Sequence, residues 1–250
     1  MNEYALLAIF FAIALFYSSI GFGGGSSYLA ILSLIMVDFY EIRTLALILN
    51  VSVVSIGTIV FFKKRIFDWP SFWPFILLSI PFAFIGAQLK LSEEVFFILL
   101  GSALILAAIS LLIQAIQQHS VSRKINTPSA LSLGGGIGLL SGLVGIGGGI
   151  FLSPMLNLMR WKNPMTVASL ASVFILANSI AGISGLVING TFVWNGMDAL
   201  PILMAVVLGG LVGSQFSFRM NLNLIRGLTA SLVLYVGLRI VLLHGFGINM

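Results

Sequence analysis

Six stretches of the chain hold about twenty predominantly apolar positions each: 44–62, 72–89, 95–114, 167–188, 199–218 and 222–243. At about 1.5 Å rise per residue, twenty helical residues match a hydrocarbon core near 30 Å, so each stretch predicts one transmembrane helix. Two further apolar stretches, 4–37 and 129–159, are too long for one crossing. Both are interrupted by glycine, as Gly21-Phe-Gly-Gly-Gly25 and Gly145-Ile-Gly-Gly-Gly149. Glycine costs a helix interior about 1 kcal/mol against alanine, so each cluster predicts an unwound point. Only about a dozen apolar residues follow each break, roughly 15 to 18 Å of helix, which is half a membrane. Each segment therefore predicts a helix, an unwound tip and a half-helix.

Loop charge decides whether such a segment crosses the membrane or turns back. If each crosses once, Arg43, Lys90, Arg160, Lys162, Arg219 and Arg226 share one side, against Lys63, Lys64, Arg65, Arg123 and Lys124 on the other. That distribution has no bias. If each turns back, Lys63, Lys64, Arg65, Arg123, Lys124, Arg160, Lys162, Arg219 and Arg226 share one side and only Arg43 and Lys90 lie opposite. Basic residues mark the cytoplasmic side, so the second arrangement is expected, with both termini outside. The halves then start from opposite sides. The expected fold is an all-α integral membrane protein of two inverted repeats, 1–125 and 126–250, each a glycine-broken helical hairpin plus three transmembrane helices. Echoes between the halves agree: Asn50 with Asn178, Trp69 with Trp194, and Gly86-Ala-Gln88 with Gly213-Ser-Gln215.

Composition removes the other classes. Hydrophobic residues make up 59% of the chain and charged residues 8%, far from the quarter typical of soluble domains. The net charge of +5 sits in short loops between apolar spans, which is an orientation signal and not a nucleic-acid surface. Cysteine is absent, which excludes disulfides and thiolate metal sites. The N-terminus lacks the basic stretch of a cleaved signal, so the first apolar segment is expected to stay.

Inverted hairpins would bring the two tips together near the midplane. Irregular backbone at that depth is tolerated only where protein or a cavity surrounds it. A half-helix starting there offers free N–H donors and the positive end of its dipole, an anion site without formal charge. The expected binding residues are Gly23, Gly24, Gly25, Ser26 and Ser27 on the first tip and Gly147, Gly148, Gly149 and Ile150 on the second. Asn50 and Asn178 join them as polar residues recurring inside spans. Ile150 and Phe151 stand where the first tip has serines, so the site should be lopsided. Gln88, Gln215 and Arg239 are gate or pathway candidates. The competing reading is close packing, because Gly21 with Gly25 and Gly145 with Gly149 also form G-x-x-x-G pairs. No acidic residue lies deep in a span, so proton coupling would have to use the substrate itself or groups near the surface. No metal-ligand set, cofactor motif or catalytic dyad is present at depth, and no enzyme is expected.

Ile20-Gly-Phe-Gly-Gly-Gly-Ser-Ser27 and Gly142-Leu-Val-Gly-Ile-Gly-Gly-Gly-Ile150, with Pro154 and Thr166-Val-Ala-Ser-Leu170, resemble the TauE/SafE family of sulfite exporters. The resemblance covers nearly the whole chain. It implies a plasma-membrane permease for sulfite, thiosulfate, sulfonates or related organic anions. The expected function is secondary transport of such an oxyanion by alternating access, with H+ or Na+ as candidate coupling ions. An anion channel with re-entrant hairpins is the alternative, and a non-transporting scaffold held by G-x-x-x-G contacts is a third class. Expected partners are the small anion and the lipid bilayer, with no nucleic acid; oligomeric state is not set by the sequence.

Overall fold

The computed structural model describes residues 3–19, 21–36, 38–116, 125–194, 196–216 and 222–246. Among them run ten α-helices: α1 (Glu3–Ser19), α2 (Gly25–Ile35), α3 (Phe39–Lys63), α4 (Trp69–Gln88), α5 (Glu93–Ile116), α6 (Thr127–Val144), α7 (Gly149–Leu158), α8 (Pro164–Ile188), α9 (Gly196–Phe216) and α10 (Leu222–Phe246). The six predicted spans are α3, α4, α5, α8, α9 and α10. The two glycine-broken segments are α1–α2 and α6–α7. Helices α3, α4, α5, α6 and α8 are each long and apolar enough to cross a membrane. The protein is an all-α, multi-pass membrane protein.

Local chemistry sets the helix starts. Asp38 accepts from the Tyr40 and Glu41 N–H groups to begin α3, and Asn163 accepts from the Thr166 N–H to begin α8. Asn126 does the same for α6, whose end is Gly145 in the left-handed region, at φ 83°. Gly24 (φ 84°) and Gly148 (φ 81°) are the N-caps of α2 and α7, a conformation that favours glycine. The half-helices have 11 and 10 residues, about 16 and 15 Å, as the sequence predicts.

Glycine contacts give the helix directions. Gly134, Gly138 and Gly142 on α6 abut the Phe75, Ser79 and Ala83 backbone on α4, so these helices run parallel. Gly209 and Gly213 on α9 abut the Phe11 and Leu15 carbonyls on α1, again parallel. Helices α3 and α8 run antiparallel: the Val193 N–H just past α8 donates to Thr44 Oγ1 near the start of α3, while Ser172 bonds Thr58 and the Val54 carbonyl. Helices α5 and α10 are also antiparallel, with Phe97 stacked on His244 at 4.2 Å and Gly101 against Gly237. At one end of the bundle Lys162 pairs with Asp68; at the other Asn189 donates to the Gln88 carbonyl at 2.9 Å.

One apolar cluster joins α1, α2, α3, α5, α9 and α10 and takes in Ile146 and Ile150 of the second tip. A second joins α4, α6, α7 and α8 around Phe72, Phe75, Leu170 and Phe174. Ile59, Leu77, Leu106, Val187, Met204 and Tyr235 face outward, as lipid-facing positions must.

One expectation fails here. Arg43 is not an outer loop charge: it lies in the second turn of α3 and is only 1% exposed. Tertiary contacts supply the reason, because its Nη2 donates to the Gly142 carbonyl at 2.8 Å and the Ala87 carbonyl at 3.4 Å. Arg123, Lys124 and Arg219 lie outside the described residues. Trp69 opens α4.

Candidate functional site

The two tips touch. Asn50 Nδ2 on α3 donates to the Ile146 carbonyl of the second tip at 2.9 Å, and a Cβ on Gly25 of the first tip would lie 2.7 Å from that same oxygen. Beside this junction is a small cavity, about 190 Å³ including its mouth, lined by Tyr17, Phe22, Gly23, Gly24, Gly25, Ser26, Asn50, Ile146, Ile150 and Ile175. The space left open inside admits about one water-sized group.

The wall is lopsided in the expected sense. Its polar groups come from α1, the first tip and α3; the second half supplies Ile146, Ile150 and Ile175. The N–H groups of Gly23, Gly24, Gly25, Ser26 and Ser27 have no acceptor among the described residues, because the first bond of α2 runs from Tyr28 N–H to the Gly24 carbonyl at 2.9 Å. At α7 the Phe151 and Leu152 N–H groups both turn to the Gly148 carbonyl, leaving Gly149 and Ile150.

The candidate residues separate into groups. Gly23, Gly24, Gly25, Ser26, Asn50 and Ile150 line the cavity. Ser27 lies just behind it, its hydroxyl 2.6 Å from the Tyr17 hydroxyl. Gly147, Gly148 and Gly149 do not line it and serve close packing: a Cβ on Gly147 would sit 2.8 Å from Ile175, and one on Gly148 2.9 Å from Phe174. Asn178 is fully buried, and both of its amide atoms lack partners, but it does not line the cavity either. Its pairing with Asn50 is off by about a turn. Helices α3 and α8 both have 25 residues, and aligning their starts puts Ile175 opposite Asn50; both of these line the cavity.

Gln88, Gln215 and Arg239 lie away from this wall. The Gln88 side chain bonds the Phe84 carbonyl of its own helix, Gln215 is exposed at the end of α9, and Arg239 is half-buried on α10.

Sequence reasoning missed Tyr17 and Arg43. Tyr17 is the only hydroxyl-bearing aromatic in the last turn of α1, a signal present in the sequence but meaningless until the tip folds back on it. Arg43 stands two turns before Asn50 on α3, and together they hold the Gly142 and Ile146 carbonyls, one turn apart at the end of α6 and in the tip. Its guanidinium lies 5.8 Å from the Phe96 ring centroid, and its Nε has no partner. A cation at the carbonyl end of α6 opposes that helix's dipole favourably.

A bundle of apolar helices in which two half-helices meet at a buried, partly polar cavity is the architecture of a membrane transporter. Residues 6–240 match the family described as Sulfite exporter TauE/SafE, and the chain belongs to that family. It is similar to a probable membrane transporter protein, y4hK, of Sinorhizobium fredii, with 32% identity over 243 residues covering 94% of this chain and 97% of the relative. No solved structure matches it.

Proposed function

We propose that the protein is a secondary transporter of a small sulfur-containing or organic oxyanion, of the sulfite, thiosulfate or sulfonate type, working by alternating access around the two tips. The observation that carries this reading is the row of free N–H groups from Gly23 to Ser26 at the cavity wall, with the Ser26 hydroxyl beside them. Each hydrogen bond to a charged partner contributes about 1.5 to 3 kcal/mol, so three or four offset much of an oxyanion's desolvation and still permit release. The cavity is too closed for a standing pore, which favours a carrier over the channel alternative.

The two halves, 1–125 and 126–250, act in this reading as inverted repeats. Its support is the helix directions: α1–α2 leaves from and returns to the end of the bundle that holds Thr44 and Gln88, while α6–α7 leaves from and returns to the end that holds Asp68 and Lys162. Lys63, Lys64, Arg65, Arg160 and Lys162 then share the cytoplasmic side of the plasma membrane, with both termini outside. The coupling ion is H+ or Na+.

Flux of sulfite, thiosulfate and sulfonates into proteoliposomes, with pH and sodium gradients imposed separately, tests the reading. Saturable flux without ATP is expected, weakened by Ser26→Ala and by bulky replacements at Gly24 or Gly148. Unitary currents in place of saturable exchange would make it a channel, and wild-type flux in all three variants would remove the tips from the pathway.

A further inference from the structure

One side-chain atom among the residues lining the cavity cannot be satisfied by an anion that has no donor of its own. Asn50 is fully buried, and its Nδ2 is committed to the Ile146 carbonyl at 2.9 Å. That carbonyl can only accept, so the orientation of the amide is fixed and the other atom must be Oδ1. Oδ1 has no partner and lies against Gly23 of the first tip, and Asn50 and Gly23 are both lining residues of the cavity. The N–H groups of the tip, the Ser26 hydroxyl and the Tyr17 hydroxyl on the same wall can donate. Asn50 Oδ1 can only accept. A buried acceptor left empty is costly, so cargo seated against it must bring a donor of its own.

We infer that the site takes its oxyanion as a monoanion that still carries a hydrogen-bond donor, with the anionic oxygens on the Gly23–Ser26 amides and the donor on Asn50 Oδ1. Hydrogensulfite has this chemistry, and so do sulfonates bearing a hydroxyl or an ammonium group. A fully ionised dianion sets a lone pair against Oδ1. It also finds no formal positive charge, because no lysine, arginine or histidine is among the lining residues. The helix end offers only about half a unit charge, which suits one negative charge better than two. The inference rests on the transport reading above and deepens it. It also gives the protein a route to pH-dependent transport without an intramembrane carboxylate, because the proton travels on the cargo.

The test uses the full chain in proteoliposomes with equal pH on both sides and protein-free vesicles subtracted for passive sulfur dioxide. At fixed total sulfite, flux is expected to fall with rising pH, approaching about tenfold per unit once pH exceeds the second ionisation of sulfite. At pH held near neutral, 2-hydroxyethanesulfonate is expected to inhibit sulfite flux at about tenfold lower concentration than ethanesulfonate, which has the same charge and no donor. Asn50→Ala should narrow that preference. Flux that follows the dianion, or equal inhibition by the two sulfonates, overturns the inference and leaves the transport reading standing. Absence of flux for every sulfur oxyanion at every pH overturns both.

Discussion

Gly138 on α6 packs so closely on α4 that a single added methyl would meet the Ser79 carbonyl oxygen at 2.5 Å and its Cα at 2.6 Å. Ordinary contact begins near 3.4 Å, so Gly138→Ala must push the two helices apart by about 0.9 Å against backbone atoms that have no rotamer to escape into. Overpacking of this kind costs about 1 to 3 kcal/mol. Two residues away, Gly136 faces open space, with nothing within 4 Å of the same methyl. Both substitutions gain about 1 kcal/mol of helix propensity, so the difference between the two variants isolates the clash. At about 2 to 4 °C per kcal/mol for a chain of this size, Gly138→Ala should unfold roughly 2 to 12 °C below Gly136→Ala in detergent, followed by far-ultraviolet circular dichroism. Flux should fall too, because α6 carries both the Gly142 carbonyl held by Arg43 and the tip held by Asn50. If Gly138→Ala unfolds at or above the temperature of Gly136→Ala, the α4–α6 packing argument is wrong.

Other consequences can be checked in the same assays. Arg43→Leu strands the buried Gly142 carbonyl and loses a charge-assisted bond, so stability should drop by about 1.5 to 3 kcal/mol, and Arg43→Lys should recover only part; a wild-type melt for Arg43→Leu would contradict the assigned role. Gly24→Ala forces a left-handed φ of 84° on alanine and brings its Cβ to 2.8 Å from Tyr28, so flux should fall more than for Ser26→Ala, measured at matched insertion. Lys162 and the Ser71 hydroxyl hold the Asp68 carboxyl below its ordinary range. With the folded value depressed, this stabilisation is complete above the unfolded value of about 4 and is lost as pH falls through the lower folded value. Asp68→Asn should therefore flatten the acid limb of a stability profile, and an unchanged limb would show that the pair contributes nothing there.

The helices at the six predicted spans, the two broken segments and the half-helix lengths were legible in the sequence because each follows from a local rule: apolar length for a helix, glycine for a break. The cap residues Asp38, Asn126 and Asn163 belong to the same local chemistry. Loop charge was a weaker guide, since it counted Arg43 as a surface residue. What the sequence could not show is which glycines do which work. The recurring Gly-rich phrase suggested one role for both tips, yet Gly23, Gly24 and Gly25 line the cavity while Gly147, Gly148 and Gly149 pack against α8 and α6. The stripe Gly134, Gly138 and Gly142 sets the approach of α6 to α4, a role that only the packing of the two helices reveals. The Asn50–Asn178 echo does not carry into the cavity, where Asn50 and Ile175 are lining residues and Asn178 is not. Periodicity, length and composition determined the elements of this protein by themselves. The tertiary structure decided the cavity, the burial of Arg43 and the free oxygen of Asn50, because each depends on contacts between residues some 45 to 100 positions apart.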